Sequence, residues 1–308
     1  MADGYPTRRD FLAATAVLAG AASLPAWPAS AQPQLLTRTI PSTGEAVPAV
    51  GMGTWITFNV GTDPALRADR AGVTAAFLEA GGRVIDSSPM YGSSQDVLGY
   101  ALDRVGRPDG LFAADKVWTS SKAAGPDQIA ASERKWGVSG FDLMQVHNLR
   151  AWQAHLPMLF DRKAAGEIRY VGISTSEGRR HDAFEDIMRS QPLDFVQVSY
   201  NVANREVEER ILPLARDRGI AVIVNRPFQQ DRLTRWLEGR PLPGFADEIG
   251  ASTWAQVLLK FILAEPAVTV AIPATTKAEH ARENVAAASG PLPDRAMRER
   301  IVTYLQEL

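Results

Sequence analysis

Short apolar runs recur along this chain with amphipathic stretches between them, and no other feature limits the possible folds as much. Strands are predicted near 48–53, 83–87, 111–117, 141–147, 169–174, 195–200, 220–225 and 268–272. Most are continuously apolar, as parallel strands covered on both faces must be. The segments between them carry helical spacing. Trp152, Leu156, Leu159 and Phe160 recur at i, i+4, i+7 and i+8, Val207, Ile211, Leu214 and Ala215 follow the same rule, and the stripe from Trp254 to Ile262 is similar. These aromatic stripes read as core packing. Eight strands, each followed by a helix, predict an α/β fold, a (β/α)8 TIM barrel. The competing architecture is an open doubly wound sheet, which announces itself by G-x-G-x-x-G after its first strand. Gly51-Met-Gly-Thr-Trp55 lacks the third glycine and runs into no immediate helix.

Ahead of the first strand, Leu35–Ile40 and Ala46–Val50 flank Pro41-Ser-Thr-Gly44, the spacing of a β-hairpin with a glycine turn. This hairpin is expected to close the bottom of the barrel. Nothing divides the remainder, and Pro241-Leu-Pro-Gly244 reads as a loop, so 32–308 is expected to be one domain. Residues 1–31 read differently. Arg8 and Arg9 precede an apolar stretch from Phe11 to Leu24, and Ala29-Ser-Ala31 supplies small residues for cleavage. The stretch is shorter than the ~20 residues a membrane span needs. It reads as a cleaved export signal of the twin-arginine (Tat) type, which passes folded proteins. The expected location is periplasmic or secreted, with the Tat machinery as a partner and no stable membrane anchor. A chain without cysteine suits this route, because folding before export cannot wait for disulfides. The lack of cysteine also excludes thiolate nucleophiles and Cys-based metal sites. A net charge of −2 offers no electrostatic reason to expect nucleic acid.

Four chemically different side chains fall at the ends of three successive predicted strands. Asp86 and Tyr91 lie in Arg83-Val-Ile-Asp-Ser-Ser-Pro-Met-Tyr-Gly92, Lys116 in Leu111-Phe-Ala-Ala-Asp-Lys-Val-Trp118, and His147 in Phe141-Asp-Leu-Met-Gln-Val-His-Asn148. A phenol, with a pKa near ~10, is too weak an acid to serve at neutral pH. A neighbouring ammonium is expected to lower that value, and Asp86 to keep Lys116 charged and in place. Singly, each residue has a plainer use: Asp86 as a helix cap, Tyr91 as a turn residue, Lys116 as a solvated strand end, His147 as a satisfied barrel-mouth histidine. Together they meet where such barrels place their catalysis. Asp115 adjoins Lys116 but should face the other side of its strand. His155 and His181 lie in helical patterns and are expected to be solvated, and no metal-ligand spacing is evident.

In these motifs the chain resembles the aldo-keto reductase family over essentially all of Gln32–Leu308. The hairpin followed by Gly51-Met-Gly-Thr-Trp55 looks like the family's opening, and Asp86-Ser-Ser-Pro-Met-Tyr-Gly92 matches its Asp-x-x-x-x-Tyr-Gly signature. Lys116 and His147 match the other two positions of its catalytic tetrad. The resemblance implies hydride transfer from NADPH, with NADH possible, to an aldehyde or ketone, reversibly, with Tyr91 as general acid. It also implies a cofactor held by Thr54, Trp55, Asp86, Ser174, Thr175, Gln197, Asn225, Arg226, Pro227 and Phe228, and by Thr275, Lys277, His280 and Asn284 at the start of the last barrel helix. That helix end suits a phosphate. Trp55, Trp118 and Asn148 are expected to line the substrate pocket.

The chain also departs from the family. Many relatives have Asn where Thr175 stands and a nicotinamide-stacking Tyr where Asn225 stands. Lysine and arginine are common in relatives at the Ala274 and His280 positions, so Lys277 and His280 are expected to replace them. Asn148 takes the place of a bulky Trp, and the chain ends at Leu308 straight after a helical pattern. An open, permissive site is expected. The alternative is a nicotinamide-binding regulatory or sensor protein on the same fold. A glycosidase needs two carboxylates about 5–10 Å apart, and Asp86 has no evident partner.

Overall fold

The computed structural model describes residues 34–308 together with Met1, and Leu35–Leu308 form a compact unit. The export signal read over 1–31 lies, Met1 apart, outside the described residues. Strands β1 (Thr37–Thr39) and β2 (Ala46–Pro48) pair antiparallel. Gly44 closes their turn at φ +79°, a left-handed conformation that only glycine adopts at little cost. The chain continues through β3 (Met52–Gly53), α1 (Pro64–Glu79), β4 (Val84–Asp86), α2 (Ser94–Val105), β5 (Phe112–Val117), α3 (Ala124–Trp136) and β6 (Leu143–Val146). Then follow α4 (Trp152–Ala164), β7 (Tyr170–Ser174), α5 (His181–Ser190), β8 (Phe195–Ser199), α6 (Ile211–Asp217) and β9 (Ala221–Asn225). Three helices, α7 (Arg232–Trp236), α8 (Phe245–Glu248) and α9 (Trp254–Leu263), precede β10 (Val270–Ala271), and α10 (Ala278–Ala286) and α11 (Arg295–Glu307) complete the described chain.

Strands β3 to β10 form one sheet in sequence order, each parallel to its neighbour. A parallel bridge from Val50 to Ala271 brings the two edges together, with Gly51 N–H donating to Ala271 O at 2.9 Å. The result is a (β/α)8 barrel. The predicted strand at 48–53 divides, because Pro48 belongs to the hairpin and Met52–Gly53 to the barrel. The last strand spans only Val270–Ala271, shorter than predicted at both ends, and Pro273 has no N–H with which to extend it further.

Along each strand the side chains alternate between two apolar clusters. Val84, Phe112, Ala114, Leu143, Tyr170, Phe195, Ala221 and Ile223 fill the interior together with Ile40 and Val47 of the hairpin region. Ile85, Val117, Met144, Val146, Val171 and Val196 face the helices. The hairpin meets the first residues of β5, β7 and β8, which are the aromatics Phe112, Tyr170 and Phe195, and so closes the N-terminal end. Burying each of these rings contributes about 1.5–3 kcal/mol. The Tyr170 hydroxyl secures the hairpin turn, lying 2.8 Å from Thr43 Oγ1 and 2.5 Å from Glu45 Oε2. Close helix packing depends on Gly99 of α2, where a Cβ would stand 1.8 Å from the carbonyl oxygen of Lys135 in α3. Continuing the inward alternation past this apolar floor brings Asp86, Lys116, Gln145, His147, Ser174, Gln197, Ser199 and Asn225 into the C-terminal half of the barrel.

Candidate active site

Asp86 ends β4 with its carboxylate buried at the barrel axis. Lys116 of β5, fully buried, donates from Nζ to Asp86 Oδ2 and also to the carbonyl oxygen of Ser87 at 2.8 Å. The other carboxylate oxygen accepts from Gln197 Nε2 at 2.8 Å and from Gln145 Nε2 at 3.2 Å. Desolvating such a pair is costly, and it persists only where further hydrogen bonds satisfy both ions. Gln145 was not anticipated from the sequence. Its signal was a lone amide in the apolar run Leu143-Met-Gln-Val146, two residues before His147 and therefore on the same inward face.

Tyr91 sits in the turn after β4, where its N–H donates to the carbonyl oxygen of Ser88 at 3.0 Å. Its ring meets that of His147 edge-on, with centroids 5.6 Å apart and planes at 88°. Lys116 Nζ lies 5.3 Å from the Tyr91 ring centre. The expected lowering of the phenol pKa by Lys116 is not found. Burial pushes it well above the ordinary 10.0, the carboxylates of Asp86 and Asp115 add to this, and Arg226 opposes them. The reason is that the Lys116 charge is balanced by Asp86 at contact distance. The phenol thus keeps its proton, which is the form a general acid needs. His147, at the end of β6, is held well below the ordinary 6.5 by burial and then by repulsion from Lys116. Its ring is therefore neutral, and Nδ1 lies 2.7 Å from Ser88 Oγ.

A cavity of about 490 Å³ opens over these residues. Asp86, Tyr91 and His147 form part of its wall, as do Thr54, Trp55 and Asn148. Ser174, Thr175, Gln197, Asn225, Arg226, Pro227 and Phe228 line it as well. Several of these side chains are already engaged. Thr54 Oγ1 donates to Ser87 Oγ at 2.8 Å. Thr175 Oγ1 donates to the carbonyl oxygen of Arg179 at 2.6 Å. Asn225 does not merely lack a stacking ring: its Nδ2 donates to the carbonyl oxygen of Thr175 at 3.0 Å and its Oδ1 accepts from Ser199 Oγ at 2.6 Å. Arg226 lies with its guanidinium 4.7 Å above the Trp55 ring and 2.6 Å from Glu177 Oε1. This clasp joins three barrel-mouth loops and had no sequence signal, since its members are far apart in the chain.

Other expected residues lie elsewhere. Trp118 is not part of the cavity wall; Arg150 covers its ring at 4.9 Å, and its N–H donates to Gln128 Oε1 at 2.6 Å. Thr275, Lys277 and His280 lie at the N-terminal end of α10 and Asn284 in its last turn, all outside that wall. There Thr275 Oγ1 accepts from Lys277 N–H at 3.1 Å, Lys277 and His280 are exposed, and Asn284 is buried. His155 and His181, expected in solvent, are both buried. His155 Nε2 meets the carbonyl oxygen of Thr119 at 2.9 Å, and His181 Nδ1 meets Glu206 Oε1 at 3.1 Å. Helical spacing alone did not reveal that these faces are covered by neighbouring loops.

Asp115 points out of the barrel toward α2, accepting from Gln95 Nε2 at 2.8 Å and from Lys116 N–H at 2.6 Å. Burial raises its pKa from 3.8 to about 7 against those hydrogen bonds and the Lys116 charge, with Asp86 contributing to the rise. Between these two values the folded chain binds more protons than the unfolded one. Stability contributed below the lower value is therefore lost as pH climbs through the upper one. Asp115→Asn is expected to remove this slope and to exceed the parent in stability above about pH 7. Urea unfolding between about pH 4 and pH 7 measures it, and a parent whose midpoint holds steady over that interval contradicts the assignment.

The Aldo/keto reductase family model matches residues 49–300. The NADH-specific methylglyoxal reductase of Escherichia coli (strain K12) is 28% identical over 233 residues, 64% of this chain and 68% of that protein. Aldo-keto reductase YhdN of Bacillus subtilis (strain 168) is 28% identical over 204 residues, spanning 60% of each chain. Among solved structures, an aldo/keto reductase from Klebsiella pneumoniae in complex with NADP and acetate aligns with a TM-score of 0.68 at 27% identity, covering 84% of this chain and 93% of that one. The barrel, the site at its C-terminal mouth and a family match over most of the sequence lead to one conclusion: this chain belongs to the aldo/keto reductase family.

Proposed function

We propose that this chain reduces aldehydes or ketones with NADPH, and oxidises the corresponding alcohols in reverse, with Tyr91 as the proton donor. The observation that carries this reading is a phenol and an imidazole, edge to face, beside a buried ammonium–carboxylate pair in one cavity. The nicotinamide, when bound, supplies the hydride. The rest falls to side chains of the chain. As the carbonyl oxygen gains negative charge, Tyr91 and His147 offer it hydrogen bonds from a pre-set wall. Tyr91 then releases its proton to that oxygen, and the phenolate left behind is favoured by the charge of Arg226. Asp86 keeps Lys116 in place throughout.

The donor set suits a carboxamide. Ser174 Oγ accepts from Asn148 N–H at 3.2 Å, so its own proton is free to be donated. Gln197 gives an N–H to Asp86 and retains Oε1 as an acceptor, with only a 3.4 Å contact from Asn225 Nδ2. Exposed Lys277 and His280 at the start of α10 suit the extra phosphate of NADPH, where the helix dipole and free N–H groups also favour an anion. Binding titrations with NADPH and NADH on the purified chain, followed by a panel of small aldehydes and ketones, test the proposal. Turnover with tighter binding of NADPH is the expected result. A preference for NADH of about tenfold, or about 1.4 kcal/mol, overturns the cofactor choice, and no turnover with either nucleotide overturns the activity.

A further inference from the structure

Ser88 is fully buried in the turn after β4, and the tetrad chemistry assigns it nothing. Its Oγ lies 2.7 Å from His147 Nδ1 and accepts from Met90 N–H at 3.2 Å. Its carbonyl oxygen receives Tyr91 N–H at 3.0 Å. This one residue therefore braces the turn that carries the phenol and touches the imidazole that faces it.

The direction of the bond to His147 follows from counting protons and lone pairs. A serine hydroxyl has one proton and two lone pairs. The Met90 N–H can only donate, so it occupies a lone pair of Oγ. Among the described residues, His147 Nδ1 is the one remaining partner within hydrogen-bond distance of Oγ. Were Nδ1 to carry the imidazole proton, two donors would point at Oγ and the buried hydroxyl proton would have no acceptor, an arrangement folded proteins avoid. The Ser88 proton must then point at Nδ1. A neutral imidazole that accepts at Nδ1 carries its own proton on Nε2. His147 lines the cavity, and its Nε2 is not among the buried atoms lacking a partner, so that nitrogen opens to the cavity.

We propose that Ser88 is a positioning residue that fixes His147 in the Nε2–H tautomer, so that the ring presents a proton to the carbonyl oxygen. In the opposite tautomer a nitrogen lone pair would face that oxygen and repel it as its charge grows. The catalytic use of this bond rests on the reductase reading given above; its direction does not.

The test uses protein carrying isotope-labelled histidine, whose four histidines give separate imidazole nitrogen signals. His147→Asn identifies the His147 pair by its disappearance. In the parent, the proton is expected on Nε2 alone. Ser88→Ala, which keeps the backbone bond to Tyr91, is expected to populate the Nδ1–H form, and Ser88→Thr to restore the parental spectrum. In turnover, Ser88→Ala is expected to lower kcat about tenfold, or about 1.4 kcal/mol, with unchanged nucleotide affinity and recovery in Ser88→Thr. A parent spectrum with the proton on Nδ1, or a Ser88→Ala spectrum identical to the parent's, overturns the proposal. If the spectra behave as expected but no protein turns over a carbonyl, the reductase reading fails and the direction of the bond stands.

Discussion

Tyr91→Phe is expected to lower kcat for carbonyl reduction by about 10²–10⁴-fold and to leave nucleotide binding as it was. Phenylalanine keeps the ring that meets His147 edge-on at 5.6 Å, so the cavity wall is retained and only the transferable proton is lost. His147 can still donate one hydrogen bond, which explains why some turnover should remain. The phenol pKa is raised, so the alkaline limb of kcat/KM in the parent should lie above the ordinary tyrosine range. That limb should vanish in the variant. Stopped-flow single-turnover rates together with a fluorescence titration of the nucleotide separate the two effects. Equal rates for parent and variant would remove Tyr91 from the chemistry.

Breaking the pair beneath Tyr91 should have the largest effect on stability. Removing one partner of a buried ion pair leaves an uncompensated charge and costs about 3–5 kcal/mol. Asp86→Leu and Lys116→Met are each expected to fall in that range, because neither residue has access to water. Asp86→Leu should be the worse of the two, since it also strands the amides of Gln145 and Gln197. The double variant should be more stable than the sum of the two losses indicates, because no charge is then left buried. All three should be inactive. Denaturant midpoints for the four proteins form a double-mutant cycle. Simple additivity, within about 0.3–0.5 kcal/mol, would mean that the pair is not the coupled unit described above.

Much of this architecture follows from one-dimensional pattern. Continuous apolar runs separated by helical stripes predict eight parallel strands with helices between them, and the missing third glycine after the first strand favours the closed barrel over an open sheet. Period-two alternation then determines which side chains face inward, so Asp86, Lys116 and His147 at their strand ends share one side while Asp115 faces the other. These properties belong to each segment separately, which is why the sequence carries them.

The partners that converge from different strands could not be read in the same way. Gln197 reaches Asp86 from 111 positions away and Ser88 reaches His147 across 59, and only barrel closure and strand register make them neighbours. The sign of the Tyr91 shift is of the same kind. A lysine near the end of the strand after the tyrosine suggested an activated phenol, whereas the folded chain neutralises that lysine on Asp86 and surrounds the phenol with burial and carboxylates. The clasp of Arg226 over Trp55 and the retreat of Trp118 from the cavity depend on loops whose conformations no periodicity encodes. The inward or outward direction of a side chain is a local consequence of strand geometry. What that side chain meets is a property of the closed barrel, because hydrogen bonds and fields depend on distances through space rather than along the chain.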